Sequence, residues 1–194
     1  MIEHKTVLDF WITEVGPENW YNGPAELDGM IRQRFMKSWS IALDGGLSDW
    51  TDTASGCLAY LILTDQFPRN MFRDDPRAFA TDPLARSAAT NAIEKDFDLQ
   101  VGRAAQEFFY LPFEHSEDIA DQRRCIEYIS MRMTDNEESL LHAHVHQKII
   151  HTYGRFPYRN NALGRSTTKE EQAFLDQNGY QGILKRYQNQ SKFS

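Results

Sequence analysis

Residues 57–70 read CLAYLILTDQFPRN, and this stretch decides how the chain folds. Its first seven residues form the longest apolar run of the chain, which is too short to span a membrane. Thr53 or Ser55 can cap a helix here, so the pattern predicts a central helix that is apolar on most sides. Pro68 follows Phe67 directly, and a proline in this place predicts the end of the helix.

A second stretch, residues 155–160, repeats this chemistry with the sequence RFPYRN. Like residues 66–70, it places an aromatic residue, a proline, an arginine and an asparagine directly after a helical pattern. Arginine and asparagine side chains carry several hydrogen-bond donors in fixed positions. The chain is therefore expected to build two similar polar corners, here named the first corner (residues 66–70) and the second corner (residues 155–160), and to place them around one cleft.

The composition argues against several classes of protein. A chain of 194 residues can bury a sizeable core, so one domain over residues 1–194 is expected, with a frayed tail from about residue 188. The net charge of −7 argues against binding to nucleic acid or to an anionic membrane. Two cysteines within apolar helical patterns, and an N-terminus without a basic leader, predict a reduced protein of the cytoplasm.

Apolar residues recur at helical spacing along most of the chain, and no segment alternates convincingly with a period of two. The protein is therefore predicted to be all-α. Short connections between the helices favour stacked antiparallel hairpins in a tetratricopeptide-like superhelical array without a sheet. Ser116 is expected to cap a long helix that begins at residue 117, and Thr167 with Glu170 has the spacing of a capping box for a later helix.

The helix end at Asp65 and Gln66 is the first candidate for chemistry. A carboxylate near a helix C-terminus faces the negative end of the helix dipole, so it needs a cationic partner. Arg69 is the obvious one. Asp65 then either holds Arg69 as part of the fold or lines a pocket and orients a ligand, and the sequence leaves both alternatives open.

The loop around His115 is the second candidate, because this histidine lies just ahead of a predicted helix N-terminus. The helix dipole favours a neutral imidazole, whereas the nearby carboxylates of Glu117 and Asp121 favour a charged one. His115 is therefore either a general acid or base, or a loop histidine with one structural hydrogen bond. Asp121 and Gln122 repeat the acid–amide pair of the first candidate.

His142, His144 and His146 form a His-x-His-x-His pattern within a predicted helix. On a helix only the first and last of the three share a face, whereas a metal site needs three or four ligands, so no metal is expected. His146 is expected to border the core and to point towards the second corner. The chain lacks a glycine-rich phosphate loop and a Cys-x-x-Cys pair, so no cofactor is expected either.

Seven arginines lie in two segments without helical periodicity, although the chain is acidic overall. Forked guanidinium groups bind carboxylates and phosphates well. These arginines either bind an anionic ligand or pair with carboxylates of the protein itself, and both alternatives are open. The seven are Arg69, Arg73, Arg77, Arg86, Arg155, Arg159 and Arg165.

Four motifs in this order resemble the signatures of domain-of-unknown-function family 924. They are residues 61–70 (LILTDQFPRN), 78–86 (AFATDPLAR), 110–117 (YLPFEHSE) and 154–160 (GRFPYRN). The resemblance extends from Val7 to about Gly182. It implies an all-helical, tetratricopeptide-like fold that is common in bacteria, and it brings no established activity.

The resemblance also implies a set of recurrent polar positions. Members often carry histidine where this chain has Tyr158, and an acid where it has Lys148, which argues against chemistry that depends on those groups. The recurrent positions fall on Asp65, Gln66, Arg69, Asn70, Asp82, Arg86, His115, Glu117, Asp121, Gln122, His146, Arg155, Arg159, Asn160 and Arg165.

Three functions remain open on these grounds, and the recurrent positions other than Asp82 are the candidate ligand-binding residues. The first is a binding domain for an anionic metabolite or an acidic peptide end, with both corners and the His115 loop around the ligand. The second is a hydrolase or lyase that uses His115 as acid or base beside Asp121 or Glu117. The third is a helical scaffold whose polar corners only lock the fold. The sequence does not predict an oligomeric state.

Overall fold

The structure is a computed structural model that describes residues 2–21, 23–24 and 26–191. These residues form helices and turns and contain no strand, which confirms the all-α prediction. The chain divides into two compact units, Met1–Pro112 and Phe113–Ser194. Two compact units can belong to one domain, so the single domain stays a prediction, as does the tetratricopeptide-like array.

The described residues of the first unit form five α-helices, two of which continue as π-helical turns. Between these helices lie 3₁₀ turns at Pro17–Asn19, Ser48–Asp52 and Pro76–Phe79, and two more follow the last helix, at Phe97–Gln100 and Arg103–Phe109. The helices are α1 (His4–Leu8, continued by the π-turn Asp9–Val15), α2 (Glu26–Leu43), α3 (Ala54–Leu61, continued by the π-turn Ile62–Gln66), α4 (Phe67–Met71) and α5 (Asp82–Glu94).

The core of the first unit is aromatic around Phe67, the first aromatic residue of the first corner. The ring of Phe67 lies 5.2 Å from that of Trp11 and 4.8 Å from that of Phe35, measured between centroids. Phe10 completes the group at 6.0 Å. All four side chains are buried. This packing fixes the start of the first corner, because offset and edge-on aromatic contacts define a ring orientation as well as a distance.

The helix predicted to end at Phe67 does not end there, because Phe67 and Pro68 open α4. The N–H of Phe67 donates to the carbonyl of Ile62, five residues earlier, which is the spacing of a π-turn. Pro68 has no N–H to offer the carbonyl of Thr64, and the hydroxyl of Thr81 donates to that carbonyl instead, at 2.5 Å. Proline is tolerated because it lies in the first turn of α4 and its missing donor is replaced.

The second unit contains four longer helices, and the short helix α6 (Leu111–Glu114) lies where the chain passes into it. The longer helices are α7 (Ile119–Arg132), α8 (Glu137–Tyr153), α9 (Lys169–Asp176) and α10 (Gly179–Ser191). A four-residue connection joins α7 to α8, and the two helices pack side by side, so they form an antiparallel hairpin. The buried core of this unit includes Val145, Ile149, Ile150, Phe156, Phe174, Ile183 and Leu184.

Two predicted caps are wrong by one or two residues. Asp118 caps α7 in place of Ser116, since its carboxylate accepts the N–H of Ala120 at 2.8 Å. The capping box of α9 is Thr168 with Glu171, one residue after the predicted pair. Threonine and glutamate are each doubled in the sequence at this point, so spacing alone cannot choose between the two registers.

Two further expectations concern the end of the chain and the membrane. The tail predicted to fray from about residue 188 is helical through Ser191, and residues 192–194 lie outside the described residues. Among the described residues, every helix falls short of the length and apolar character that crossing a membrane requires.

Candidate functional site

The first corner is closed by ion pairs. The guanidinium of Arg69 donates to both carboxylate oxygens of Asp82, at 3.1 Å each, and lies 3.3 Å from Oδ1 of Asp65. It also donates to the backbone carbonyl of Asp65. Both carboxylates are buried, and the Arg69 side chain is 18% exposed. An incoming anion would have to displace two carboxylates from this arginine.

The amides of the first corner bind within the protein. The side chain of Gln66 donates to Oδ1 of Asn70 at 3.3 Å, and Asn70 donates to Oδ1 of Asp28 at 2.9 Å. Arg73 donates to both oxygens of the same Asp28 carboxylate. Partial burial raises the pKa of Asp28, but the hydrogen bonds from Arg73 and Asn70 outweigh it and hold the pKa below its usual value.

The other two arginines of this segment are Arg77 and Arg86. Arg77 donates to both oxygens of Asp75, at 2.9 and 2.8 Å, and its guanidinium lies 4.6 Å above the ring of Phe72. Arg86 is half-buried on α5. The seven arginines therefore differ widely in their surroundings.

The second corner is closed in a similar way by Glu171, which the sequence did not single out. Arg155 donates to its two oxygens at 2.6 and 2.9 Å, and also to the carbonyl of Ser166. Asn160 donates to Oε2 of Glu171 at 3.2 Å. The Arg155 guanidinium is the main reason that the pKa of Glu171 falls to about 2.

Beside this corner, Glu117 forms a second ion pair. Arg165 donates to its two oxygens at 2.7 and 3.0 Å, and the N–H of Phe156 donates to Oε1 at 2.8 Å. Partial burial raises the pKa of Glu117, but Arg165 outweighs it and keeps the pKa below its usual value. Arg159 is buried, with its guanidinium 4.4 Å above the ring of Phe156.

The two corners lie in different units. A cleft lined by both corners therefore stays a prediction. Within each unit, the contacts of Arg69, Arg155 and Arg165 correspond to the alternative in which arginines pair with carboxylates of the protein.

A different group of side chains, in the second unit, has the geometry of an acid–base pair. Nδ1 of His146 lies 2.9 Å from Oε1 of Glu114 and 3.0 Å from the carbonyl of His142. Both neighbours are acceptors, so Nδ1 carries the hydrogen, and the basic lone pair of the neutral ring is on Nε2. Glu114 is 5% exposed, whereas the His146 side chain is 13% exposed.

Glu114 is buried, yet its surroundings favour the ionised carboxylate. Burial raises its pKa, but the charge that His146 carries when protonated and its hydrogen bond outweigh burial, with smaller contributions from His115 and His142, and keep the pKa below its usual value. The thiol of Cys125 lies 3.9 Å from Oε2, the other carboxylate oxygen. Burial raises the pKa of Cys125 well above its usual value, so the thiol keeps its proton and can donate to Glu114.

Gln122 and Asp121 hold the loop that carries Glu114 and His115. The side-chain amide of Gln122 is fully buried and donates to the carbonyls of Glu114 and Ser116 at 2.6 and 2.7 Å. The hydroxyl of Ser116 donates to Oδ2 of Asp121 at 2.7 Å. Both residues were predicted to bind a ligand, and these contacts give them a role in positioning the loop.

Aromatic rings surround the imidazole of His146. Its centroid lies 5.5 Å from Phe156, which it meets edge-on, 4.9 Å from Tyr180 and 6.3 Å from His115. The hydroxyl of Tyr180 and Nδ1 of His142 share a hydrogen bond. The histidine cluster, as it is named below, consists of Glu114, His115, His142, His146 and Tyr180.

Sequence reasoning found His146 and His115 but missed Glu114 and Tyr180. The carboxylates expected beside His115 are engaged elsewhere, Glu117 with Arg165 and Asp121 with Ser116. Glu114 stands next to His115 in the motif of residues 110–117, so a signal was present in the sequence. In the part of the chain that the structure describes, no group of three or more His, Cys, Asp or Glu side chains is arranged to hold a metal ion.

Comparison with known proteins agrees with the four motifs. A family model described as a bacterial protein of unknown function (DUF924) matches residues 7–179. The solved structure of a protein of unknown function from Agrobacterium tumefaciens is similar, with a TM-score of 0.84 and 39% sequence identity. The match covers 90% of this chain and 97% of that one. No curated protein matches the chain.

Proposed function

We propose that this chain, which belongs to the bacterial family of unknown function DUF924, is a hydrolase or lyase in which His146 acts as general base. The observation that carries the proposal is the 2.9 Å contact between Nδ1 of His146 and the buried carboxylate of Glu114. A general base needs a fixed tautomer, a free basic nitrogen and stabilisation of the charge that it gains.

Glu114 supplies the fixed tautomer and the stabilisation of the charge that the base gains. By accepting the Nδ1 hydrogen it leaves Nε2 as the basic atom, and its negative charge stabilises the imidazolium that forms when Nε2 takes a proton. The low polarity around a buried carboxylate strengthens this interaction. General acid–base catalysis by such a group typically contributes about 10²–10⁴-fold to a rate.

This proposal moves the predicted role of base from His115 to His146. His115 stays close, as the second imidazole of the histidine cluster, but its expected carboxylate partners are engaged by other side chains. The groups that surround His146 are a carboxylate, a backbone carbonyl and aromatic rings. These contacts favour a base that acts directly on water or on a substrate proton over one that activates a serine or cysteine.

The test compares wild type with His146→Gln and Glu114→Gln on a panel of nitrophenyl esters and phosphate esters. We expect turnover to fall at least about 100-fold in His146→Gln and about tenfold in Glu114→Gln, which keeps a hydrogen-bond acceptor but loses the charge. His151→Gln is the matched control, since His151 lies on the same helix and is exposed. Turnover that survives in His146→Gln would contradict the proposal.

Binding of an anionic metabolite or an acidic peptide end is a further proposal that rests on the arginines of the two corners. Arg69 and Arg155 are held by carboxylates, so such a ligand must compete with Asp82 or Glu171. Thermal unfolding in the presence of phosphate and of dicarboxylates tests it, because a ligand at 100 times its dissociation constant adds about 2.7 kcal/mol. No stabilisation by any of these anions would reject it.

A purely structural scaffold accounts for the paired corners but gives the Glu114–His146 pair no function.

We also propose a cytoplasmic location, which the two buried free cysteines, Cys57 and Cys125, support. A tetratricopeptide-like array is likewise a proposal, supported by the hairpin of α7 and α8.

A further inference from the structure

We propose that Tyr180 is the hydrogen-bond donor that works beside His146, and that it acts on the carbonyl oxygen of the substrate. The inference rests on the proposed function, because it takes His146 as the base. It adds the substrate class, a carbonyl compound, and a second residue that touches the reacting atoms.

The first support is the position of the phenol ring. Tyr180 lies in the first turn of α10, which packs against α8, the helix that carries His146. Its ring centroid is 4.9 Å from that of His146 and the rings are inclined by 51°. Tyr180 is half-buried and packs against the core of the second unit, so the ring is held by its surroundings while part of it faces solvent.

The second support is the contact with His142. This histidine lies one turn before His146 on α8, and its ring is nearly parallel to that of Tyr180, with an angle of 8° and a centroid distance of 5.9 Å. The two side chains share a hydrogen bond between Nδ1 and the hydroxyl. When Nδ1–H of His142 is the donor, the single hydrogen of the phenol remains available for a substrate oxygen. His142 is then a positioning residue for Tyr180.

The third support is the charge around the phenol. Burial raises the pKa of Tyr180 well above its usual value, and the negative charge of Glu114 raises it further. The hydroxyl therefore keeps its hydrogen near neutral pH, and it serves as a donor. His146 and Tyr180 thus have complementary roles, since one accepts a proton and the other donates a hydrogen bond.

This pairing suits reactions in which negative charge develops on a carbonyl oxygen. In hydrolysis, Nε2 of His146 takes a proton from water, the water oxygen bonds to the carbonyl carbon, and the electron pair of the C=O bond moves onto the oxygen that Tyr180 contacts. The C=O bond then re-forms as the bond to the leaving group breaks, and that group leaves with the proton from His146. In a lyase, His146 takes a proton from the carbon next to the carbonyl, that C–H electron pair forms a C=C bond to the carbonyl carbon, and the C=O pair moves onto the same oxygen. The C=O bond then re-forms, a C=C bond forms to the next carbon, and the group on that carbon leaves with the proton from His146.

Diethyl pyrocarbonate is a probe that needs no knowledge of the natural substrate, because it is a carbonyl compound that acylates neutral imidazole. Nε2 attacks one carbonyl carbon, the bond to the central oxygen breaks, and the ethyl carbonate that leaves takes up the proton lost from the ring and decomposes to ethanol and carbon dioxide. The measurement is the rate of acylation at each histidine, read by peptide mass spectrometry.

We expect Tyr180→Phe to slow acylation of His146 about tenfold. Loss of one donor to a developing oxyanion lowers the rate of an enzyme on its natural substrate by more than this factor. Acylation of the exposed His151 should not change. Tyr187→Phe is the matched control, because it removes a hydroxyl from the same helix two turns later. His142→Gln should slow acylation of His146 by about threefold or more, because Tyr180 is then no longer held in place.

An unchanged rate at His146 in folded Tyr180→Phe overturns this inference and leaves the proposed function standing. If His146 resists acylation in wild type while His151 reacts, Nε2 of His146 is inaccessible, and both this inference and the proposed function fail. A thermal unfolding curve verifies that each variant is folded. Should Tyr180→Phe fail to fold, His142→Gln decides, and an unchanged His146 rate in that variant overturns the inference.

Discussion

The two corners share an aromatic residue, a proline, an arginine and an asparagine, yet their backbones differ. In the first corner Phe67 and Pro68 lie in helix α4, after a π-turn. In the second, Phe156 is extended, with φ −89° and ψ 105°, and Pro157 opens a 3₁₀ turn. The same residue types therefore do not fix the local structure.

The cause lies in the residues just before each aromatic. Gly154 follows the last residue of helix α8 and has φ 69°, a left-handed conformation that glycine adopts without steric cost. Residues 57–66, which precede Phe67, contain no glycine, and the chain stays helical through the π-turn. The chain enters the second corner after a helix end and the first corner within a helix.

The corners also differ in how completely their charges are buried. Arg69 is 18% exposed and lies between two buried carboxylates. Arg155 is 28% exposed, and its side chain donates to a single carboxylate, that of Glu171. Breaking the first corner should therefore cost more stability than breaking the second.

The largest effect is expected from Arg69→Met. This substitution keeps most of the side-chain volume but leaves Asp65 and Asp82 buried without their shared cation, so the free energy of unfolding should fall by about 3–5 kcal/mol. Urea unfolding at pH 7 measures it. Arg77→Met is the control, because the Arg77–Asp75 pair is exposed and its loss should lower the free energy of unfolding far less. A loss in Arg69→Met no larger than that in Arg77→Met would show that the first corner is not an ionic lock.

Thr81→Val tests why the first corner stays helical past its proline. The hydroxyl of Thr81 is buried, donates to the carbonyl of Thr64 and accepts the Trp39 indole N–H at 3.1 Å, so its loss should cost about 2–3 kcal/mol. In a Pro68→Ala background, the backbone N–H at position 68 can donate to the carbonyl of Thr64. There we expect the cost of Thr81→Val to be about 1 kcal/mol smaller.

Denaturant unfolding of the four proteins in this cycle gives the coupling energy. Equal costs of Thr81→Val in both backgrounds would mean that Thr81 does not replace the N–H that Pro68 lacks.

The smallest effect is expected from Glu171→Gln in the second corner, about 2 kcal/mol at pH 7. Glutamine keeps the capping box with Thr168 but removes the charge that holds Arg155. The pKa of Glu171 is about 2 in the folded protein against 4.5 for a free side chain, so its charge stabilises the protein above pH 4.5. That stabilisation is lost as the pH falls from about 4.5 to 2.

The difference between wild type and Glu171→Gln should therefore shrink over this pH range, because wild type becomes protonated at the same atom. Thermal unfolding at a series of pH values measures it, with Glu170→Gln as the control, since Glu170 is adjacent and exposed. A difference that stays constant down to pH 2 would show that the charge of Glu171 is not what stabilises this corner.

Much of the fold was predictable, because helical periodicity and capping are local. The central helix that Thr53 caps is an example. The continuation past Pro68 was not predictable, since it depends on a hydroxyl 17 residues away from the carbonyl that it serves. Which glutamate closes the capping box with Thr168 was not predictable either. Glu171 also accepts a hydrogen bond from Arg155, which lies outside the helix that the box begins.

The candidate site was predictable in part. The sequence identified the arginines and His146 from residue type and position, but their partners Asp82, Glu171 and Glu114 could be assigned only with coordinates. A shared cleft for the two corners stays a prediction, and so does the oxyanion role of Tyr180.

The sequence by itself determined the helical class, the position of both proline corners and the membership of the family, because each of these depends on residues that are neighbours along the chain. The tertiary structure decided which carboxylate meets which guanidinium, and that Glu114 meets His146. The reason is physical: an ion pair or a proton relay depends on separations of about 3 Å. Only the packing of the helices sets such a separation between residues far apart in the chain.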